Sequence, residues 1–163
     1  MPRTLIAGFG NVLRGDDGFG VEVIHRLEAA DVADEEVRLL EVGTGGLALA
    51  QELLAGYDRL IIVDAMTCGG APGTLYVREV EAVEEATEID MHLAVPARAL
   101  SVAKALGALP ERVFIIGCEP AEVDELMAEL SAPVRSAVDV AIRHIHELVV
   151  PRGSSQTEHT GLR

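Results

Sequence analysis

Short apolar runs closed by glycine alternate along this chain with amphipathic stretches. Thr4-Leu5-Ile6-Ala7-Gly8 is apolar and glycine-ended, and reads as a buried first strand. A glycine-rich loop, Gly8 to Gly15, leads to Asp16 and Asp17, either of which can cap a helix running to about Ala30. In that helix Gly20, Val23, Ile24 and Leu27 share one face. His25 lies opposite, and Glu22 and Arg26 pair one turn apart. Val37–Val42 reads as the second strand, Gly43–Gly46 as a loop and Leu47–Leu54 as the second helix. Arg59–Asp64 is an unbroken apolar run ending in aspartate, as expected of a strand buried on both faces of a parallel sheet.

The next strand, about Gly73 to Val80, follows a gap holding Gly69, Gly70 and Pro72. That gap is too short for a crossover helix, so this strand is expected to run antiparallel. Pro96 suits the first turn of a further helix, with Val95, Ala99, Val102 and Leu106 as its apolar stripe. Arg112–Gly117 reads as the last strand and Ala121–Leu130 as a helix. Ser131 is placed to cap a final helix carrying Val134, Val138, Ala141, Ile145 and Leu148 on one side. The pattern predicts an α/β fold: a three-layer domain over residues 1–150, with a mixed five-stranded sheet between helices. Four strands are parallel and one is antiparallel. Residues 151–163 are polar and aperiodic, and are expected to form a disordered tail.

Composition narrows the function. The 163 residues carry a net charge of −14, which disfavours nucleic acid and anionic membrane surfaces as partners. No apolar run reaches membrane-spanning length, and the N-terminus has no signal-peptide pattern, so the expected location is the cytoplasm. Cys68 and Cys118 fit a reducing compartment and read as two small, mostly buried apolar residues. The acidic cluster from Glu79 to Asp90 reads as a solvated face. A monomer is the default expectation.

Two segments carry candidate chemistry. Gly8-Phe9-Gly10 after a strand opens like a dinucleotide-binding fingerprint. Leu13 stands where the third glycine belongs, and Asp16 and Asp17 would repel a pyrophosphate, so nucleotide binding remains only a weak rival. The carboxylates suggest another use. Asp17 follows strand one and Asp64 ends strand three, so both fall at the carboxyl edge of the sheet, where α/β folds bind ligands. His92 follows the antiparallel strand and can fold over the same edge. Two carboxylates and one imidazole with an open position make a catalytic divalent-metal set that tolerates zinc or nickel. Each residue also has an ordinary alternative: Asp17 as a helix cap, Asp64 bonding loop amides, His92 as a surface histidine. Cys118 lies at a strand end with no activating base placed beside it by the sequence.

The run Gly8-Phe9-Gly10-Asn11-Val12-Leu13-Arg14-Gly15-Asp16-Asp17-Gly18-Phe19-Gly20 resembles the opening signature of the hydrogenase maturation endopeptidases. Leu60–Ala65 is similar to their third strand with its ligand aspartate, and Asp90-Met91-His92 falls where they have a ligand histidine. Gly43-Thr44 and the Pro72-Gly73-Thr74 turn also match. The resemblance covers about residues 3 to 150. It implies an endopeptidase that removes the C-terminal extension of a nickel–iron hydrogenase large-subunit precursor after nickel insertion. Asp17, Asp64 and His92 would be catalytic residues and metal ligands, and Gly43 and Thr44 would contact substrate. The implied metal is divalent, nickel presented by the substrate, so that the free enzyme can be metal-free. Where the family often has Asp-Gly-Gly-Thr, this chain has Glu41-Val42-Gly43-Thr44. A non-catalytic chaperone that senses nickel in the large subunit would use the same residues.

Overall fold

A computed structural model describes residues 2–81, 94–121 and 129–149. Its strands are β1 (Thr4–Phe9), β2 (Val37–Gly43), β3 (Arg59–Ala65), β4 (Leu75–Val80) and β5 (Arg112–Cys118). Its α-helices are α1 (Phe19–Ala29), α2 (Leu47–Leu53), α3 (Ala94–Ala105) and α4 (Ala132–Val149), and a 3-10 turn spans Gly15–Gly18. The strands form one sheet in the order β2-β1-β3-β5-β4. All neighbours are parallel except β4, which pairs antiparallel with β5. The mixed five-stranded sheet and the reversed fourth strand agree with the sequence reading. Among the described residues, no helix is long and apolar enough to cross a membrane.

The three central strands are buried along nearly their whole length, which requires helices on both faces. Strand alternation divides their side chains. Leu60 and Ile62 of β3 pack with Leu49 and Leu53 of α2 and Leu100 and Ala103 of α3. Ile61 and Val63 point the other way, against Ile24 and Leu27 of α1 and Val138 and Ile145 of α4. Each buried aliphatic side chain contributes about 1.5–3 kcal/mol relative to exposure. In α1 the expected apolar face is buried, and Glu22 pairs with Arg26 at 3.4 Å. Glu79 is exposed, as expected of a solvated face, and there it accepts two hydrogen bonds of 3.0 Å from Arg112, linking β4 to β5.

Three expectations need correction. The stripe Val95, Ala99, Val102 and Leu106 does not face the core: Ala99 is buried, but Val95, Val102 and Leu106 are exposed. The buried face of α3 is Ala97, Ala99, Leu100 and Ala103. Cys68 is exposed, and only Cys118 is buried. Neither Asp16 nor Asp17 caps α1, whose N-cap is Gly18 with no side-chain bond. The expected helix over Ala121–Leu130 falls largely outside the described residues, as does the polar tail.

Glycine lets α1 start directly on the sheet. A Cβ on Gly20 would lie 2.1 Å from the Val63 carbonyl oxygen and 2.5 Å from that of Phe9. A Cβ on Gly8 would lie 2.4 Å from the Gly20 carbonyl oxygen. Only hydrogen fits at either place, so the first turn of α1 sits over the carboxyl ends of β1 and β3, and the loop before it is held at the sheet edge.

Candidate active site

The loop between β1 and α1 turns tightly enough to put its carboxylates over the sheet edge. Gly10, at φ +128, lies against the 3-10 turn that carries Asp17. The Asn11 backbone N–H donates to Asp17 Oδ2 at 3.0 Å, and Asn11 Oδ1 accepts from the Leu13 N–H at 2.9 Å. The asparagine thus shapes the loop with its side chain and holds Asp17 with its backbone. Asp17 remains partly open to solvent.

Asp64 arrives from β3. Two residues beyond Ile62, its side chain leaves the sheet on the α2 and α3 side, where strand alternation directs it. It is only 5% exposed, and its Oδ1 accepts from the Ala65 N–H at 2.8 Å. Gly43 closes the third side. A bulge in the pairing of β1 with β2 sets Gly8 opposite Glu41 and Phe9 opposite Gly43. Gly43 takes φ +71 there, and its carbonyl accepts from the Gly10 N–H at 2.8 Å. Glu41 lies on the other face of the sheet and pairs with His25 of α1, outside the cleft.

Phe9, Gly10, Asp17, Gly43, Thr44, Asp64 and Val95 together line a cleft of about 170 Å³. Of the five expected site residues, the structure brings four together here: Asp17, Asp64, Gly43 and Thr44. The fifth, His92, expected as metal ligand and catalytic group, lies outside the described residues. Among the described residues, no three His, Cys, Asp or Glu side chains form a group that could hold a metal ion.

Residues 21–148 match the family model of the hydrogenase maturation proteases. The chain belongs to the hydrogenase maturation protease family. Among curated relatives, the hydrogenase expression/formation protein HupD of Rhizobium leguminosarum bv. viciae is 38% identical over 144 residues, 86% of this chain and 71% of that protein. The hydrogenase maturating endopeptidase HybD from E. coli superposes with a TM-score of 0.76 at 28% identity, covering 88% of this chain and 89% of that one. The maturation protease HybD from Thermococcus kodakarensis gives the same TM-score at 27% identity, covering 90% and 98%. Membership makes this chain a hydrolase of peptide bonds that serves hydrogenase maturation.

In this protease the neighbouring aspartates have separate duties. Asp16 is 2% exposed and points away from the cleft. Its carboxylate accepts from the Ala121 N–H at 2.8 Å, the Ser131 N–H at 2.7 Å and the Ser131 hydroxyl at 2.8 Å. It ties the chain after β5 and the start of α4 to the loop that carries Asp17. The Ser131 carbonyl accepts from the Arg135 N–H, while its hydroxyl serves Asp16.

The sequence reading assigned no role to Glu119, which proves to be a second buried anchor. It is 4% exposed, and its Oε1 accepts from the Cys68 N–H at 2.8 Å, the Gly70 N–H at 2.9 Å and the Tyr76 hydroxyl at 2.7 Å. Burial works to raise the Glu119 carboxyl, but the Tyr76 hydroxyl and the N–H groups of Cys68, Gly70 and Gly69 outweigh it. The net effect holds the group below its ordinary value. The Tyr76 hydroxyl is in turn pushed up to about 12, chiefly by that hydrogen bond. Burial, with Asp16 and Glu119 nearby, pushes the Cys118 thiol up to about 12, which makes it inert as a nucleophile. The signal for Glu119 in the sequence is a lone carboxylate directly after an apolar strand; its partners are 43 to 51 residues away.

Proposed function

We propose that this protein is a metal-dependent endopeptidase that removes the C-terminal extension of a nickel–iron hydrogenase large-subunit precursor once nickel has been inserted. The observation that carries this reading is the cleft itself. Asp17 and Asp64 come from different strand ends yet line one small concavity at the carboxyl edge of a parallel sheet, with Gly43 and Thr44 on its wall. One Asp17 oxygen is fixed by the Asn11 N–H, and the other has no partner among the described residues. His92 is three residues before Val95, which lines the cleft.

The donor set fits a divalent ion. Two carboxylates and an imidazole suit ions of intermediate softness, including nickel and zinc. When bound, such an ion supplies a Lewis acid for the scissile carbonyl. The nickel is cargo of the precursor, and Asp17, Asp64 and His92 are the residues that would recognise it, which makes cleavage conditional on loading. Hydrolysis adds water across the scissile C–N bond: hydroxyl goes to the acyl carbon and a proton to the leaving amine. Thr44 and the backbone at Gly43, on the cleft wall, would orient the peptide. The protein acts in the cytoplasm as a monomer, where both thiols remain reduced.

The test is a cleavage assay with the nickel-loaded large-subunit precursor of the same organism, read by product mass. Wild-type cleavage that disappears in Asp17→Asn, Asp64→Asn and His92→Ala supports the reading. A precursor that binds and keeps its extension would instead make the protein a nickel-sensing chaperone. Equal cleavage of nickel-free precursor would remove nickel from the proposal.

A further inference from the structure

The stripe on α3 that faces outward lies beside the cleft and is left exposed at Val95, Val102 and Leu106. Leu47, Ala50, Val95, Ala99 and Val102, with Arg98 at the side, wall a groove of about 370 Å³ between α2 and α3. The groove is continuous with the cleft, because Thr44 and Val95 line both. Its near end is built by close approach: a Cβ on Gly46 would meet the Val95 carbonyl oxygen and the Ala99 Cβ at 3.2 Å.

The apolar side chains follow the helices away from the cleft. Leu47 and Leu54 are seven residues apart at the ends of the α2 segment, 67% and 58% exposed. Val95, Val102 and Leu106 fall on one side of α3, at 42%, 40% and 56%. Single exposed apolar residues need no explanation, but Leu47 of α2 and Val95 and Val102 of α3 are exposed together along one groove, and such a cluster marks a binding surface. The cleft has room for the atoms around one peptide bond. An extended peptide advances about 3.3 Å per residue, so residues flanking a bond held at Asp17 and Asp64 must pass beyond it. The adjoining groove is apolar, which selects apolar side chains.

We infer that the α2–α3 groove is a specificity site that holds an apolar stretch of the substrate polypeptide next to the scissile bond. This rests on the protease reading and names what that site selects. Val95 stands at the junction, while Leu47 and Val102 contact the substrate further along.

The test measures cleavage and binding separately, with the large-subunit precursor as probe. In cleavage, Val102→Glu should raise the half-saturating precursor concentration about tenfold, as loss of an apolar contact predicts, and Val102→Leu should restore it. In binding, the Asp17→Asn protein should hold the precursor, and adding Val102→Glu should weaken it by a similar factor. An unchanged half-saturation and unchanged binding in both variants would overturn the groove assignment and leave the protease reading standing. If the wild type binds but does not cleave, the protease reading fails, and the binding pair still decides the groove. A dimer in sedimentation that Val102→Glu dissociates would give the groove to a second copy of this chain and overturn the proposal.

Discussion

A Cβ on Gly10 would lie 1.8 Å from the carbonyl oxygen of Asp17. The turn that carries the aspartate is therefore packed on the glycine backbone with no room for a side chain. Gly10 also sits at φ +128, a region that L residues avoid. Its N–H reaches the Gly43 carbonyl, so a single residue joins both loops of the cleft.

Gly10→Ala is expected to cost about 2 kcal/mol or more in stability, from backbone strain and from displacement of the Asp17 turn. Cleavage should fall further than stability explains, because Asp17 moves with the turn. Thermal unfolding and the precursor assay, run side by side, read the two effects. An alanine variant that melts and cleaves like wild type would show that the turn relaxes without consequence.

Asp16→Ala and Asp17→Ala should fail in different ways. Loss of the Asp16 carboxylate strips three donors of their acceptor, and stability should drop by about 3 kcal/mol. Asp17 accepts one backbone bond at a partly open position, so its loss should leave the fold nearly intact while lowering cleavage about a hundredfold or more. Urea unfolding of both variants checks this; equal stabilities would show that the Asp16 contacts contribute little.

The two thiols should separate cleanly. Cys68 is exposed and should react with a disulfide reagent in the native protein at mildly alkaline pH. Cys118 is buried, with its thiol pushed up to about 12, and should react only after unfolding. Because the folded value is raised, the contribution of the neutral thiol to stability is fully present below the unfolded thiol value, about 8.5, and is lost as pH rises from there through about 12. Two thiols modified at equal rates in the native state would contradict the buried position of Cys118.

Glu119 should contribute to acid sensitivity. Its folded carboxyl is held below the ordinary value, so its contribution to stability is present above the unfolded value, near about 4.3, and fades as pH falls through the folded one. Glu119→Gln should be less stable than wild type at neutral pH, and the difference should shrink on acidification. Melting temperatures across an acid series give the answer, and a constant gap would locate the acid sensitivity elsewhere.

The sequence alone determined the strands, the antiparallel turn of β4 and the candidate pair Asp17 and Asp64. Each depends on neighbours in the chain: an apolar run, a gap too short for a helix, a carboxylate at a strand end. The glycines of the opening segment were legible as a pattern, but tertiary structure supplies their reason, which is contact of Gly8 with Gly20 and of Gly10 with Asp17. Tertiary structure also decided which side of α3 is buried. Alanine and leucine on one side and valine and leucine on the other are both apolar, so periodicity cannot set the rotation of the helix. Packing with Leu60 and Ile62 of β3 and Leu49 and Leu53 of α2 does, and it buries Ala97, Ala99, Leu100 and Ala103. The split between Asp16 and Asp17 was likewise beyond the sequence. The residues are adjacent and chemically identical, and only the arrival of Ser131, 115 positions later, makes one an anchor and leaves the other to the cleft.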